Sequence, residues 1–375
     1  MNNSFSSVIA TVPIIMLIFI IHILTPKLTR REIYFGVRIP ENQLENEELK
    51  RIYKEYVRNN IVVTIPYIVI YSLILIYFNK IFIQLQVIGM FLYLGIIFYV
   101  YYIANKKVKK IKDRNVWYKA KKSAVVVDTN FSKEKNKKML ASHWWFLIPA
   151  VIIVINVLIS FNVYDKIPDM VPTHWNALGQ ADRWVKKSYK SILMAPVMQC
   201  FITIVMFFSY KVIGWSKQQI SASNPERSKE QNRIFRYIWS IYMIAMAIIM
   251  NLFFTFLNLN GLQVIKSNSK VKKVFTLGFM FIVFIVSLII SIRTGQGGSR
   301  IKLKNIEGDR SNLTDRDDDR YWKLGNSIYV NKDDPALFVE KRFGIGWTMN
   351  FGRIESIVIT IVFLAIIILM PLLLK

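Results

Sequence analysis

Long apolar runs alternate with polar, cation-rich stretches along this chain, and the length of the runs decides how they are read. Crossing a bilayer core takes about 20 apolar residues in a helix. Eight windows of that kind occur: 7–24, 61–78, 81–104, 145–163, 191–210, 237–257, 274–292 and 354–374. The first seven contain no Asp, Glu, Lys or Arg. The pattern predicts an all-α polytopic membrane protein with about eight transmembrane helices. Four consecutive regions follow from it: an N-terminal three-helix membrane region (1–144), a four-helix membrane domain with an external hairpin (145–292), a cytoplasmic linker and aromatic module (293–353), and a final helix (354–375). The first window has no basic segment before it, and Thr25-Pro26-Lys27 after it offers no small-residue cleavage site. It reads as a retained helix and not a signal peptide.

Charge then sets the expected threading. The chain of 375 residues carries a formal charge of +26. Lys and Arg in the segments after helices 1, 3, 5 and 7 number 39, against 11 in the segments after helices 2, 4, 6 and 8. Positive residues favour the cytoplasmic side, so both termini are expected outside a bacterial cell membrane. Trp144, Trp145 and Trp215 suit headgroup level. The basic run Lys106–Lys112 is expected to attract anionic lipid, at about 1 kcal/mol per cation near the surface. Inner-leaflet anchoring thus explains the charge without nucleic acid.

Three loops hold candidate structure. In the first, Asn42 and Glu45 resemble a capping box, and Leu49, Ile52, Tyr53, Tyr56 and Val57 fall on one helical face. An amphipathic helix on the membrane or on neighbouring loops is expected. In the second, Ala124–Val127 reads as a short strand, and 132–140 as a helical lead-in to helix 4. In the last, Gly295–Asp319 reads as a flexible linker. Trp322, Tyr329, Phe338, Phe343, Trp347 and Phe351, with turn signals at Gly325, Asp334-Pro335, Gly344 and Gly346, then predict a compact β-rich or mixed module.

The external loop between helices 4 and 5 is the densest in chemistry. Pro168 and Pro172 keep the backbone extended and Gly179 supplies a turn, so 171–176 and 181–185 are expected to pair as a hairpin. That gathers His174, Asn176, Asp182 and Trp184 as a candidate ligand site. Alternatively, His174 and Asn176 serve the hairpin backbone. His174 is the loop's sole histidine and Cys200 the chain's sole cysteine. A zinc site with three or four protein ligands is therefore not expected, nor is a disulfide. No zinc-protease, P-loop or nucleophile-elbow motif occurs. Asn156, Gln199, Asn251 and Asn258 inside the spans either join helices by hydrogen bonds or line a path.

Pro168, Pro172, His174-Trp175-Asn176, Gly179, Asp182 and Trp184 resemble a bacterial domain of unknown function that also begins SdpI-type proteins. Those proteins confer immunity to a cannibalism toxin and signal its presence. The resemblance spans roughly helices 4 to 6. Phe35-Gly36-Val37-Arg38-Ile39-Pro40 resembles the F-G-x-R-T-P element of the SdpI core, with Ile39 in place of threonine and in the reverse order relative to the external motif. The stretch 322–352 is similar to another uncharacterised module found with the same membrane domain. The implied function is a non-enzymatic receptor or immunity protein, without cofactor, that senses an extracellular peptide or toxin and signals to a cytoplasmic regulator. Arg38, Trp322, Phe338, Arg342 and Trp347 would then form the cytoplasmic partner surface. A transporter or flippase for small molecules or lipids is the alternative.

Overall fold

A computed structural model describes residues 3–78, 81–117, 123–124, 139–175, 179–303 and 313–373. In chain order the elements are α1 (Asn3–Leu28), β1 (Ile33–Tyr34), β2 (Val37–Arg38), α2 (Glu47–Tyr77), α3 (Phe82–Arg114), β3 (Ser123–Ala124), α4 (Leu147–Asn162), β4 (Met170–Trp175), β5 (Ala181–Lys186), α5 (Tyr189–Trp215), α6 (Pro225–Gly261) and α7 (Ser269–Thr294). There follow β6 (Thr314–Asp315), β7 (Trp322–Lys323), β8 (Ile328–Tyr329), β9 (Phe338–Glu340), β10 (Trp347–Met349) and α8 (Ile354–Leu373). Seven helices, counting the described residues, are long and apolar enough to cross a membrane. Their apolar side chains stay exposed, Phe91 at 71% and Ile204 at 66%, as a lipid-facing surface requires. The protein is therefore a mostly helical, multi-pass membrane protein. α8 is apolar but shorter over its described side chains, and Glu355 lies in its first turn.

Two compact units divide the elements, and both are discontinuous in sequence. One comprises Met1–Ser132, Ser216–Asn232 and Ile290–Ser356; the other comprises Lys133–Trp215, Arg233–Ile289 and Ile357–Lys375. The aromatic module thus belongs to the same unit as the first three helices and is not a block of its own.

In the first unit, the amphipathic start of α2 packs inward. Leu49, Ile52 and Tyr56 meet Phe35, Val37 and Ile39 of the β1–β2 turn and Val100, Tyr101 and Val108 of α3. This face is covered by protein and so does not lie on the membrane, which corrects that part of the expectation. The helix begins later than the Asn42–Glu45 pattern implies. Asn46 is its N-cap, and its side chain accepts the Glu48 N–H at 2.8 Å. Deeper in the unit, the Tyr56 hydroxyl donates to the His22 carbonyl (2.8 Å), and His22 Nε2 lies 2.9 Å from the Ile97 carbonyl oxygen.

The aromatic stretch forms two antiparallel strand pairs, β7–β8 and β9–β10. Leu324, Gly325 and Asn326 all have positive φ in the tight turn between β7 and β8. Asn350 is fully buried and ties the module together, accepting from the Asn331 and Gly352 N–H groups and donating to the Asn331 carbonyl at 2.8 Å. The described ends of the expected flexible linker are packed. Gln296 is buried and its side-chain amide brackets the Gly346 backbone (2.7 and 3.0 Å), while Asp318 and Asp319 are held in ion pairs. Of the expected strand at 124–127 only Ala124 is described, paired in parallel through β3 with β6. Most of the expected lead-in at 132–140 lies outside the described residues.

In the second unit, the buried amides do join helices. Asn156 of α4 donates to Gln199 of α5 (2.7 Å), and Gln199 donates to the Asn251 carbonyl and Thr255 hydroxyl of α6 (2.8 and 2.9 Å). Asn258 of α6 returns two bonds to α4, to Asn156 and Ser160, each 3.0 Å. In hydrocarbon such groups have no water to turn to, so each finds a partner on the next helix.

Candidate functional site

The hairpin forms from the residues that its alternation and prolines select. Ile167 and Val171 bury against Ile192 and Leu262, which anchors the start of β4 to the beginning of α5 and the end of α6. β4 and β5 pair antiparallel from Met170↔Lys186 to Trp175↔Ala181. The register shifts twice: Pro172 faces Trp184, His174 faces Arg183, and Trp175 faces Ala181. Thr173 is therefore extra on one strand and Asp182 on the other. Such bulges re-aim side chains. Here they bring His174 Nδ1 within 2.5 Å of Asp182 Oδ1, although the two are not opposite in register. Both side chains are about half exposed, at 57% and 43%.

Gly179 closes the hairpin with φ +76°, and a Cβ there would lie 2.4 Å from the Ser269 carbonyl oxygen. Glycine is needed both for the left-handed conformation and for this approach to α7. Trp175 turns toward the same place: its ring lies 5.8 Å from Lys272 Nζ and packs over Gly261. Trp184 remains 47% exposed. The structure thus unites His174, Asp182 and Trp184 on one outward hairpin, whereas Asn176 lies outside the described residues. Among the described residues no group of three His, Cys, Asp or Glu could hold a metal ion.

A second polar centre lies in the first unit. Arg38 binds Asp315 and Asp318 (3.1 and 3.0 Å), Arg342 binds Asp318 and Asp319, and Lys112 binds Asp317 and Asp319 (2.8 and 2.6 Å). Arg30 clasps Glu340 with two nitrogens at 2.7 and 3.0 Å, and Asn232 donates to the same carboxylate. Burial works against the charge on Asp318. Arg342 and Arg38 beside it outweigh that and hold its carboxyl well below the usual carboxylate range. For Asp319 burial is likewise outweighed, by Arg342 and Lys112. The Gly36 carbonyl accepts from Asn326 (2.7 Å) and Arg342 (3.0 Å), so the 35–40 element and the C-terminal module meet through backbone as well as charge. A cavity of about 330 Å³ opens beside them, bordered by Arg30, Glu32, Arg38, Asp315, Arg316 and Asp333.

Four of the five residues expected to form a cytoplasmic partner surface are in fact interior. Arg38, Trp322, Phe338 and Arg342 are 5%, 3%, 5% and 2% exposed, and Trp347 is half-buried. As folded, these four side chains bind their own chain. Lys112 is also buried and Lys107 pairs with Glu55, whereas Lys106 and Lys110 are exposed. Sequence reading missed Arg30, Glu340 and the acidic run 315–319 as parts of one centre. The available signal was that run itself, the densest cluster of carboxylates in a strongly basic chain.

Residues 151–200 match the model of a domain of unknown function (DUF1648), and residues 332–357 match that of a family of unknown function (DUF5808). The first stretch contains the hairpin, and the second contains Asp334, Glu340, Arg342 and Asn350. No curated protein and no solved structure matches the chain. The two matched families of unknown function therefore cover the hairpin and one part of the buried ion-pair centre.

Proposed function

We propose that the chain is a non-enzymatic receptor or immunity protein of the bacterial cell membrane, akin to the SdpI-like group, that binds an extracellular peptide or toxin and signals to the cytoplasm. The observation that carries this reading is the His174–Asp182 pair with Trp184 beside it, exposed on a hairpin anchored to helix ends. Exposed polar and aromatic groups on a rigid scaffold suit recognition. His174→Ala and Asp182→Ala are each expected to abolish the protective or signalling phenotype at normal membrane abundance, measured as toxin sensitivity of strains carrying each variant. Full activity in both would overturn the reading.

The proposed threading has eight spans with both termini outside, on the strength of the 39-to-11 partition of Lys and Arg. In a Cys200→Ser background, single cysteines at positions 176, 136 and 312 test it with an impermeant thiol reagent. Only the first is expected to label in intact cells. A transporter or flippase would instead use the buried amides of α4–α6 and would show solute flux in reconstituted vesicles.

A further inference from the structure

We infer that the peptide recognised by the hairpin is acidic and is taken along the open edge of β5. This rests on the receptor reading above and adds the chemical class of its ligand. The hairpin and the start of α7 share one face of the second unit, joined by Gly179 against Ser269 and Lys272 over Trp175. The segments that build it, 163–190 and 262–273, hold nine Lys and Arg and three Asp. One of those carboxylates, Asp182, already faces His174.

Arg183, Lys186, Lys190, Lys266 and Lys270 are exposed, and among the described residues none has a carboxylate within ion-pair distance. By contrast, the buried cations of the first unit, Arg30, Arg38, Lys112 and Arg342, all meet carboxylates of the same chain. If this face is external, its cations also run against the topological preference for positive charge inside. An uncompensated cationic face of this size enriches anionic partners and steers them to it.

Two features favour a peptide over lipid headgroups. β5 has β4 as its neighbour and no second strand among the described residues, so its other edge offers backbone groups to an extended chain. Trp184, exposed between Arg183 and Lys186, adds a large amphipathic contact on the same strand. A headgroup has no use for a strand edge.

The test uses the full chain in phosphatidylcholine nanodiscs and fluorescein-labelled deca-glutamate as probe, read by anisotropy. The quadruple variant Arg183→Gln, Lys186→Gln, Lys266→Gln, Lys270→Gln is expected to weaken binding about tenfold or more, while Lys106→Gln with Lys110→Gln leaves it unchanged. A charge-keeping variant, Lys186→Arg with Lys266→Arg and Lys270→Arg, is expected to bind as the parent does, which separates lost charge from lost fold. Equal binding by parent and quadruple variant, or none by the parent, overturns the inference. Loss of parental binding when the discs contain phosphatidylglycerol also overturns it, by showing that headgroups occupy the face. In either case the phenotypes of His174→Ala and Asp182→Ala judge the receptor reading separately.

Discussion

Arg342 lies across two carboxylates and a backbone carbonyl, with 2% of its surface exposed. A planar guanidinium can serve several acceptors from fixed directions, whereas an ammonium acts as a point charge. Arg342→Met is expected to destabilise the first unit by about 3–5 kcal/mol, since it leaves Asp318 and Asp319 buried with fewer cations. Arg342→Lys is expected to recover only part of that, both read as thermal unfolding in detergent. Gly179→Val meets a different obstacle: backbone on one side and a disfavoured φ on the other. It is expected to lower the amount of inserted protein, assayed by immunoblot, with no rescue from a smaller side chain such as alanine.

At the scale of elements, the amides between α4, α5 and α6 form a set whose members depend on one another. Asn156→Leu is expected to cost about 1–2 kcal/mol, because Gln199 and Asn258 lose partners in hydrocarbon. The double change Asn156→Leu with Gln199→Leu is expected to cost less than the sum of the single changes, which a double-mutant cycle in detergent unfolding measures. These amides and the hairpin were legible in the sequence because their signals are local: a polar residue in an apolar run, two prolines, a glycine at a turn. The pair of bulges was not legible. It depends on how Thr173 and Asp182 slip past each other when β4 is fixed to helix ends, and residue spacing carries no trace of that. The first turn of α2 was misplaced for a similar reason, since Asn42 and Asn46 are both good caps and the packing of Leu49 decides between them.

For the molecule as a whole, the helical membrane class was readable and the division into units was not. Apolar length is a property of one segment, while Arg38 and Asp318 are 280 positions apart and nothing in either neighbourhood names the other. Their pairing also gives stability a pH dependence. Asp318 and Asp319 have folded-state pKa values below their unfolded ones, so their contribution is fully present above the ordinary carboxylate pKa of about 3.9 and is lost progressively as pH falls from there through the depressed folded-state values. Proteolysis in detergent at pH 7 and pH 2 is expected to show the first unit, probed at 216–232 and 313–353, opening more readily at the lower pH. Equal protection at both would contradict the role given to the ion pairs.

The discontinuity of the first unit also sets a timetable during synthesis. Arg30 and Arg38 leave the ribosome early, yet their partners Glu340 and Asp318 follow 310 and 280 residues later. At about 5–20 residues per second that is a wait on the order of 15–60 s. Through that interval the two arginines have only Glu32 of their own loop, 3.9 Å from each in the finished fold, while α2 to α7 are made. A ribosome stalled before residue 315 would therefore hold a chain whose early helices are in place but whose first loop is still open.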